Sequence, residues 1–326
     1  MVFYFLSFSF TDLPLFREIE TNLVKKYMLN FKNKPHTQAV VLLLIAMIVL
    51  QSSGSLAKIL FSQFPILTVS VMRLLLGGTL LALIFKIWQI NVKQVNWTAI
   101  ISYGVALAGM NALFYLSIHR LPLGIAVSFE FIGPLSVALY HARQKYDLLW
   151  VGCAIVGLIL LFPFDQASQS LDPIGIACAL GAGVCWAMYI IFGQKPTGIS
   201  GQHTVCLGML IGMLCLMPFA LYTGLSWEVF ESQNLLLLTI LAISASALPF
   251  SLEMVALRNL SPFVFGTLTS LEPAMAALSG FIFLHEQLAW TQWLALMVII
   301  IASMGCTYTT QQAKKAVESK LKHQQS

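Results

Sequence analysis

Charge is scarce in this sequence. Asp, Glu, Lys and Arg make up only 10% of its 326 residues, against 58% hydrophobic residues and a mean hydropathy of +0.83. A water-soluble domain needs a polar surface over its core, so this balance excludes one. Histidine is missing from the middle of every long apolar run, because His36, His119, His141, His203, His285 and His323 fall in loops, tails or run ends. The commonest intramembrane base and metal ligand is therefore unavailable. The six cysteines, Cys153, Cys178, Cys185, Cys206, Cys215 and Cys306, sit inside apolar runs without a CxxC pair. They read as small packing residues, which argues against disulfides and a zinc site. HExxH, GxSxG and GxxxxGK[ST] are all absent, so the chain alone is no ATP-driven pump. Nothing calls for a metal or a cofactor. Stretches such as Val40–Leu50 also lack the alternating polarity of barrel strands.

What is present is a succession of apolar runs, each near the roughly twenty residues a helix needs to cross about 30 Å of hydrocarbon. Ten are read, at 38–57, 65–85, 97–118, 121–140, 146–164, 172–192, 202–222, 234–252, 262–284 and 289–309. The expected fold is all-α and integral to the membrane. Of the 18 Lys and Arg residues, Arg73 lies within a run and only Lys58 and Arg120 fall on one side of the alternation. The other side is then cytoplasmic and holds both termini, and this asymmetry accounts for the net charge of +5 without a nucleic-acid partner. Residues 1–36 read as a peripheral tail. Its apolar stretch Val2–Phe10 is too short to span and lacks the basic start and small-residue cleavage site of a signal peptide. Met28 is an alternative start, which N-terminal peptide mass spectrometry would reveal. Residues 310–326 read as a basic cytoplasmic tail.

The polar link Phe164–Asp172 divides the runs into five and five, 37–164 and 172–309. An odd number per half forces opposite insertion, the inverted-repeat plan. An offset of 139 residues superposes Leu121 on Leu260, Pro134 on Pro273, Ala138 on Ala277, Leu139 on Leu278, Leu149 on Leu288 and Asp147 on Glu286. Both intramembrane prolines thus occupy one equivalent place, where a helix loses a backbone hydrogen bond and can bend. Small residues at helical spacing, Gly208 with Gly212, Gly104 with Ala108 and Ala276 with Gly280, suit close helix packing.

Glu130 precedes Pro134 by four residues and Glu272 directly precedes Pro273, each near the middle of an apolar run. An acid there costs about 2.5–3.5 kcal/mol on insertion scales, so such residues usually face a bundle interior or a watery cavity. The bland reading is a neutral acid bonded to a nearby carbonyl; the functional one exchanges a proton for the ammonium of a substrate. Arg73 cannot shed its charge. It pairs with Glu130 or Glu272, or it binds a substrate carboxylate. Gln51, Asn111 and Tyr115 suit either a zwitterion or plain interhelical hydrogen bonds. Trp186 and Tyr189, three residues apart, form either a cavity wall or core packing. Glu253 and Arg258 read as a surface pair at the end of the eighth run.

With these residues in view, the chain resembles the drug/metabolite transporter superfamily in its EamA-type, amino-acid-exporting branch. The strings that carry the likeness are GSLAK (Gly54–Lys58), GMNALFYLSI (Gly109–Ile118), PLGIAVSFEFIGPLSVAL (Pro122–Leu139), ALGAGVCWAMYI (Ala179–Ile190), SALPFSLEMVAL (Ser246–Leu257) and FGTLTSLEPAMAALSG (Phe265–Gly280). The likeness runs from about 38 to 309. It implies a central cavity between the halves, a bacterial inner-membrane location, and proton-driven efflux of small neutral amino acids such as threonine and homoserine. Glu130 and Glu272 are then the carriers of coupling, with Arg73, Gln51, Asn111, Tyr115 and Trp186 as cavity candidates. Two alternatives stand beside this: an exporter of aromatic amino acids or hydrophobic drugs, and an intramembrane lipid-modifying enzyme with a carboxylate-based mechanism.

Overall fold

The computed structural model describes residues 35–121, 123–162, 171–224, 227–283 and 289–325. Residues 1–34 of the N-terminal tail, with Met28, most of the polar link, His285, Glu286 and Leu288 lie outside the described residues. Among the described residues there are helices and no strands.

The helices are α1 (Pro35–Ser52), α2 (Gly54–Gln63), α3 (Ile66–Ile84), α4 (Trp97–Ile118), α5 (Leu123–Glu130), α6 (Ile132–His141), α7 (Lys145–Leu161), α8 (Pro173–Gly193), α9 (Gly201–Thr223), α10 (Ser232–Ala242), α11 (Leu248–Asn259), α12 (Pro262–Thr269), α13 (Leu271–Phe283) and α14 (Trp290–Gln325). Side chains fix several starts by accepting from first-turn N–H groups: Asn96 from Ala99, Asp172 from Ile174, Ser200 from His203 and Ser261 from Val264.

Among the described residues, six continuous stretches are long and apolar enough to cross a membrane: Ile66–Ile84, Trp97–Ile118, Pro173–Gly193, Gly201–Thr223, Ser232–Asn259 and Trp290–Ala313. Of the other expected runs, 146–164 holds the single helix α7, while 38–57, 121–140 and 262–284 are each split into two shorter pieces, two of them at a proline. Pro134 has no N–H for the Glu130 carbonyl, and Pro273 has none for that of Thr269. The helical ladder lapses at Phe131 and again at Ser270. Both residues keep near-helical dihedrals, φ −64° and ψ −15° for Phe131, φ −61° and ψ −13° for Ser270. The chain therefore continues in roughly the same direction through each break. Ser53 plays a similar part between α1 and α2. Between α10 and α11 the turn Ile243–Ala247 is wound as a π-helix, with Leu248 N–H bonded back to the Ile243 carbonyl; Pro249 comes next.

The stretch read as a basic tail continues as helix to Gln325. After Gly305 there is no glycine or proline to stop it, and Gln, Ala, Lys and Glu are good helix formers.

Helix pairing brings α4 against α8, α3 against α9, α7 against α14, α1 against α11 and α6 against α12. Two of the small-residue pairs meet each other. A Cβ on Gly104 would lie 2.9 Å from the Gly208 carbonyl oxygen, and one on Gly212 would lie 3.3 Å from that of Gly104. The α4–α9 crossing is thus nearly backbone to backbone. Ala276 and Gly280 lie outside the described side chains. Outer faces are apolar as well: on α7, Val151, Ala154 and Leu158 are buried while Leu148, Ile155 and Ile159 are exposed, as lipid contact requires.

Candidate functional site

Glu130 ends α5 and is buried at the first break, 7% exposed. Its position depends on two glycines. A Cβ on Gly183 of α8 would lie 2.5 Å from the Glu130 carbonyl oxygen, and one on Gly133 would lie 1.9 Å from the Gly183 oxygen. The helices touch backbone to backbone where Pro134 has removed the Glu130 carbonyl's normal partner. Phe131 turns its ring onto Trp186 of α8, with centroids 4.8 Å apart and planes at 65°. Trp186 is buried there, so it packs the break on one side.

Glu272 lies just past the second break and is half-buried. Its backbone carbonyl accepts a hydrogen bond from Gln51 Nε2 at 3.1 Å, tying α1 to the start of α13. Gln51 thus braces the break with its amide. The Glu130 and Glu272 carboxylates make no hydrogen bond among the described residues. The neutral acid capped by a nearby carbonyl, the bland alternative, is not what either side chain does here.

Arg73 on α3 is buried, 7% exposed. Its guanidinium donates from Nη2 to Asn111 Oδ1, while Asn111 Nδ2 donates to the Leu107 carbonyl at 2.8 Å. The Arg73 Nε is buried without a partner. The structural pairing of Arg73 with Glu130 or Glu272 is corrected: Arg73 bonds to Asn111 instead, and the ion pair seen between Arg120 and Asp172, at 2.8 Å, lies on an exposed end of the bundle. Tyr115, one turn beyond Asn111 on the same face of α4, is buried with its ring 5.3 Å from that of Phe61.

A third acid belongs with these, and local spacing misplaces it. Glu253 of α11 is 6% exposed and accepts a hydrogen bond from the Tyr189 hydroxyl at 3.0 Å. Tyr189 stacks on Tyr103 of α4 with centroids 5.0 Å apart, and both rings are fully buried. Arg258 does not pair with Glu253. It donates to the Thr197 hydroxyl at 2.9 Å, the Thr204 hydroxyl at 3.0 Å and the Ile199 carbonyl at 3.1 Å, pinning the end of α11 to the α8–α9 connection. Glu272 lies within electrostatic range of both Glu253 and Glu130, so the three acids share one interior.

The bundle thus holds a permanent cation with an unfilled N–H and three acids able to take up or release protons. A cavity of about 520 Å³ lies elsewhere, on the outer side of α5, α6 and α7, lined by apolar residues such as Ile132, Leu139 and Ile159. It contains none of the charged residues.

The model of the EamA-like transporter family matches residues 173–308. The threonine/homoserine exporter RhtA of Escherichia coli (strain K12) is 45% identical over 293 residues, 89% of this chain and 98% of that protein. The RhtA of Salmonella typhimurium (strain LT2) is 46% identical over 272 residues, 83% of this chain and 91% of its own. An uncharacterized transporter of Bacillus subtilis, YvbV, is 25% identical over 304 residues, 87% of this chain and 96% of that one. A solved crystal structure superposes with a TM-score of 0.68 at 16% identity, over 85% of this chain and 99% of that one, a likeness of fold.

Proposed function

Because the chain belongs to the EamA-like transporter family, we propose that it exports small neutral amino acids, threonine and homoserine among them, in exchange for protons. It is a multi-pass membrane transporter and not an enzyme. The observation that carries the substrate class is the nearly full-length match to threonine/homoserine exporters. The chemistry of the interior supports it. A zwitterion brings a carboxylate that the unfilled Arg73 N–H can meet, beside Asn111, and an ammonium that an ionised acid can balance. The same acid can hold a proton when the ammonium has left, so one carboxylate serves substrate and proton in turn.

The architecture we read is ten spans in two inverted halves within a bacterial inner membrane, both termini cytoplasmic. Helix pairing supports it. If α1–α2 and α8 are the first spans of their halves, the α4–α8 contact becomes the α11–α1 contact on exchanging halves. The pairs α3–α9, α6–α12 and α7–α14 map onto themselves. The breaks at Phe131 and Ser270 share the 139-residue offset of Pro134 and Pro273. Nothing favours a broad exporter of aromatic compounds, since the pairs Phe131–Trp186 and Phe61–Tyr115 are occupied with each other.

Cells overexpressing the protein should tolerate excess homoserine and lose preloaded radiolabelled threonine faster than empty-vector cells. Loss no faster than in those cells would refute the substrate. Glu130→Gln and Glu272→Gln should abolish this efflux while protein remains in the membrane; normal efflux in both would remove the acids from the mechanism.

A further inference from the structure

We infer that Glu253 is the acid through which protons leave the site toward the cytoplasm, positioned for that by the Tyr189 hydroxyl. The inference rests on the proton-exchange reading above and deepens it.

Depth is the first ground. Glu253 lies six residues before the end of α11 at Asn259, about 9 Å at 1.5 Å per residue. Glu272 lies ten residues beyond the start of α12 at Pro262, about 15 Å from the same end. With the termini inside, that end is the cytoplasmic one. The third acid therefore sits between Glu272 and the cytoplasm.

Surroundings are the second ground. The ionisable groups around Glu253 are Tyr189 from α8, Tyr103 stacked on it from α4, and Glu272 from α13; Arg258, on its own helix, is turned to Thr197 and Thr204. Among the described residues no cation pairs with Glu253. A buried carboxylate held only by a phenol O–H is stabilised enough to keep its place, without the salt bridge that would keep it permanently charged. Arg258 being engaged elsewhere is what leaves it so.

The step is a proton transfer. The O–H of a protonated Glu272 breaks as an O–H forms on ionised Glu253, directly or through water. Glu253 then yields that proton to cytoplasmic water and is again a carboxylate. Since Glu253 is buried by the packing of α8 and α11, release requires those helices to part at their cytoplasmic ends, which couples proton exit to inward opening.

The test uses everted membrane vesicles holding the full chain, with two assays of radiolabelled threonine: uptake driven by a pH gradient, and counterflow against unlabelled threonine without one. Glu253→Gln should retain counterflow and lose driven uptake by about tenfold or more. Tyr189→Phe, which keeps the ring and removes only the O–H, should move the pH midpoint of driven uptake and spare counterflow. Driven uptake at the wild-type level in Glu253→Gln overturns the inference. If that variant loses both activities, Tyr189→Phe decides: a moved midpoint sustains the inference, and an unmoved one overturns it. Wild-type uptake indifferent to the pH gradient would instead defeat the proton reading itself, before any variant is compared.

Discussion

Replacing Gly133 with alanine tests the contact on which Glu130 depends. The added Cβ would lie 1.9 Å from the Gly183 carbonyl oxygen and 2.5 Å from its carbon. The closest ordinary carbon-to-oxygen approach is about 3.3 Å, so α6 and α8 must separate by roughly 1.4 Å. Both atoms are backbone, and no rotamer relieves the clash. Overpacking of this kind costs about 1–3 kcal/mol. Gly183→Ala meets the Glu130 oxygen at 2.5 Å, a deficit of only about 0.8 Å, and should cost less. Gly152, with nothing within 4 Å of its would-be Cβ, is the control. There alanine should be neutral or stabilise by about 0.5–1 kcal/mol, the usual helix-interior difference. Thermal melts of detergent-purified protein read these values, at roughly 2–4 °C per kcal/mol for chains somewhat shorter than this one. The expected order is Gly133→Ala lowest, then Gly183→Ala, with Gly152→Ala at or above wild type. Since Gly133 stands three residues from Glu130, Gly133→Ala should also slow threonine efflux. Wild-type melting and efflux in Gly133→Ala would show that α6 and α8 do not meet there, and the account of Glu130's placement would fall.

Asn111→Leu should destabilise the protein by about 1.5–3 kcal/mol, because a buried guanidinium loses its acceptor. Asn111→Asp should keep that stability yet abolish efflux by occupying Arg73; an active Asn111→Asp would exclude Arg73 as the carboxylate site. At the exposed end, the hydrogen bond from Arg120, with that from the Ile174 N–H, holds the Asp172 carboxyl below its usual range. A lowered folded-state value means its contribution is present above the unfolded pKa, near 3.9, and lost as pH falls through the folded one. The melting difference between wild type and Asp172→Asn should therefore be small at neutral pH, as for any exposed pair, and vanish on acidification below about pH 4. A difference that widened with acid would contradict that sign.

Hydropathy and spacing make the helical class legible, and two of the small-residue pairs on α4 and α9 do meet. Pro134 and Pro273 are legible as breaks because a missing N–H is a local property, felt by the carbonyl four residues earlier whatever the tertiary fold. The partners of the polar groups are not legible in the same way. Gln51 reaches a carbonyl 221 residues away, and Arg258 reaches hydroxyls 54 and 61 residues back. No local pattern encodes such distances. The pairing expected for Arg73 rests on charge alone, whereas Asn111 reaches it by lying on the adjoining face of α4.

Glu253 escapes a reading of the sequence for a different reason. By hydropathy the eighth run ends at residue 252, where polar residues begin to thin the apolar window, and that boundary puts the acid at the surface. Helix α11 instead carries it inward, after a π-wound turn that inserts a residue and rotates the helix beyond it. A signal is nonetheless available: Glu253 lies four residues after Pro249, Glu130 precedes Pro134 by four, and Glu272 adjoins Pro273. All three acids stand beside a proline, and the reason is physical. A proline within a span leaves a carbonyl unsatisfied, which at membrane depth is tolerated only against protein or water. An acid at that depth has the same requirement. Both groups therefore belong on the same inward faces, and an acid within one turn of an intramembrane proline is better evidence for a polar interior than either residue alone.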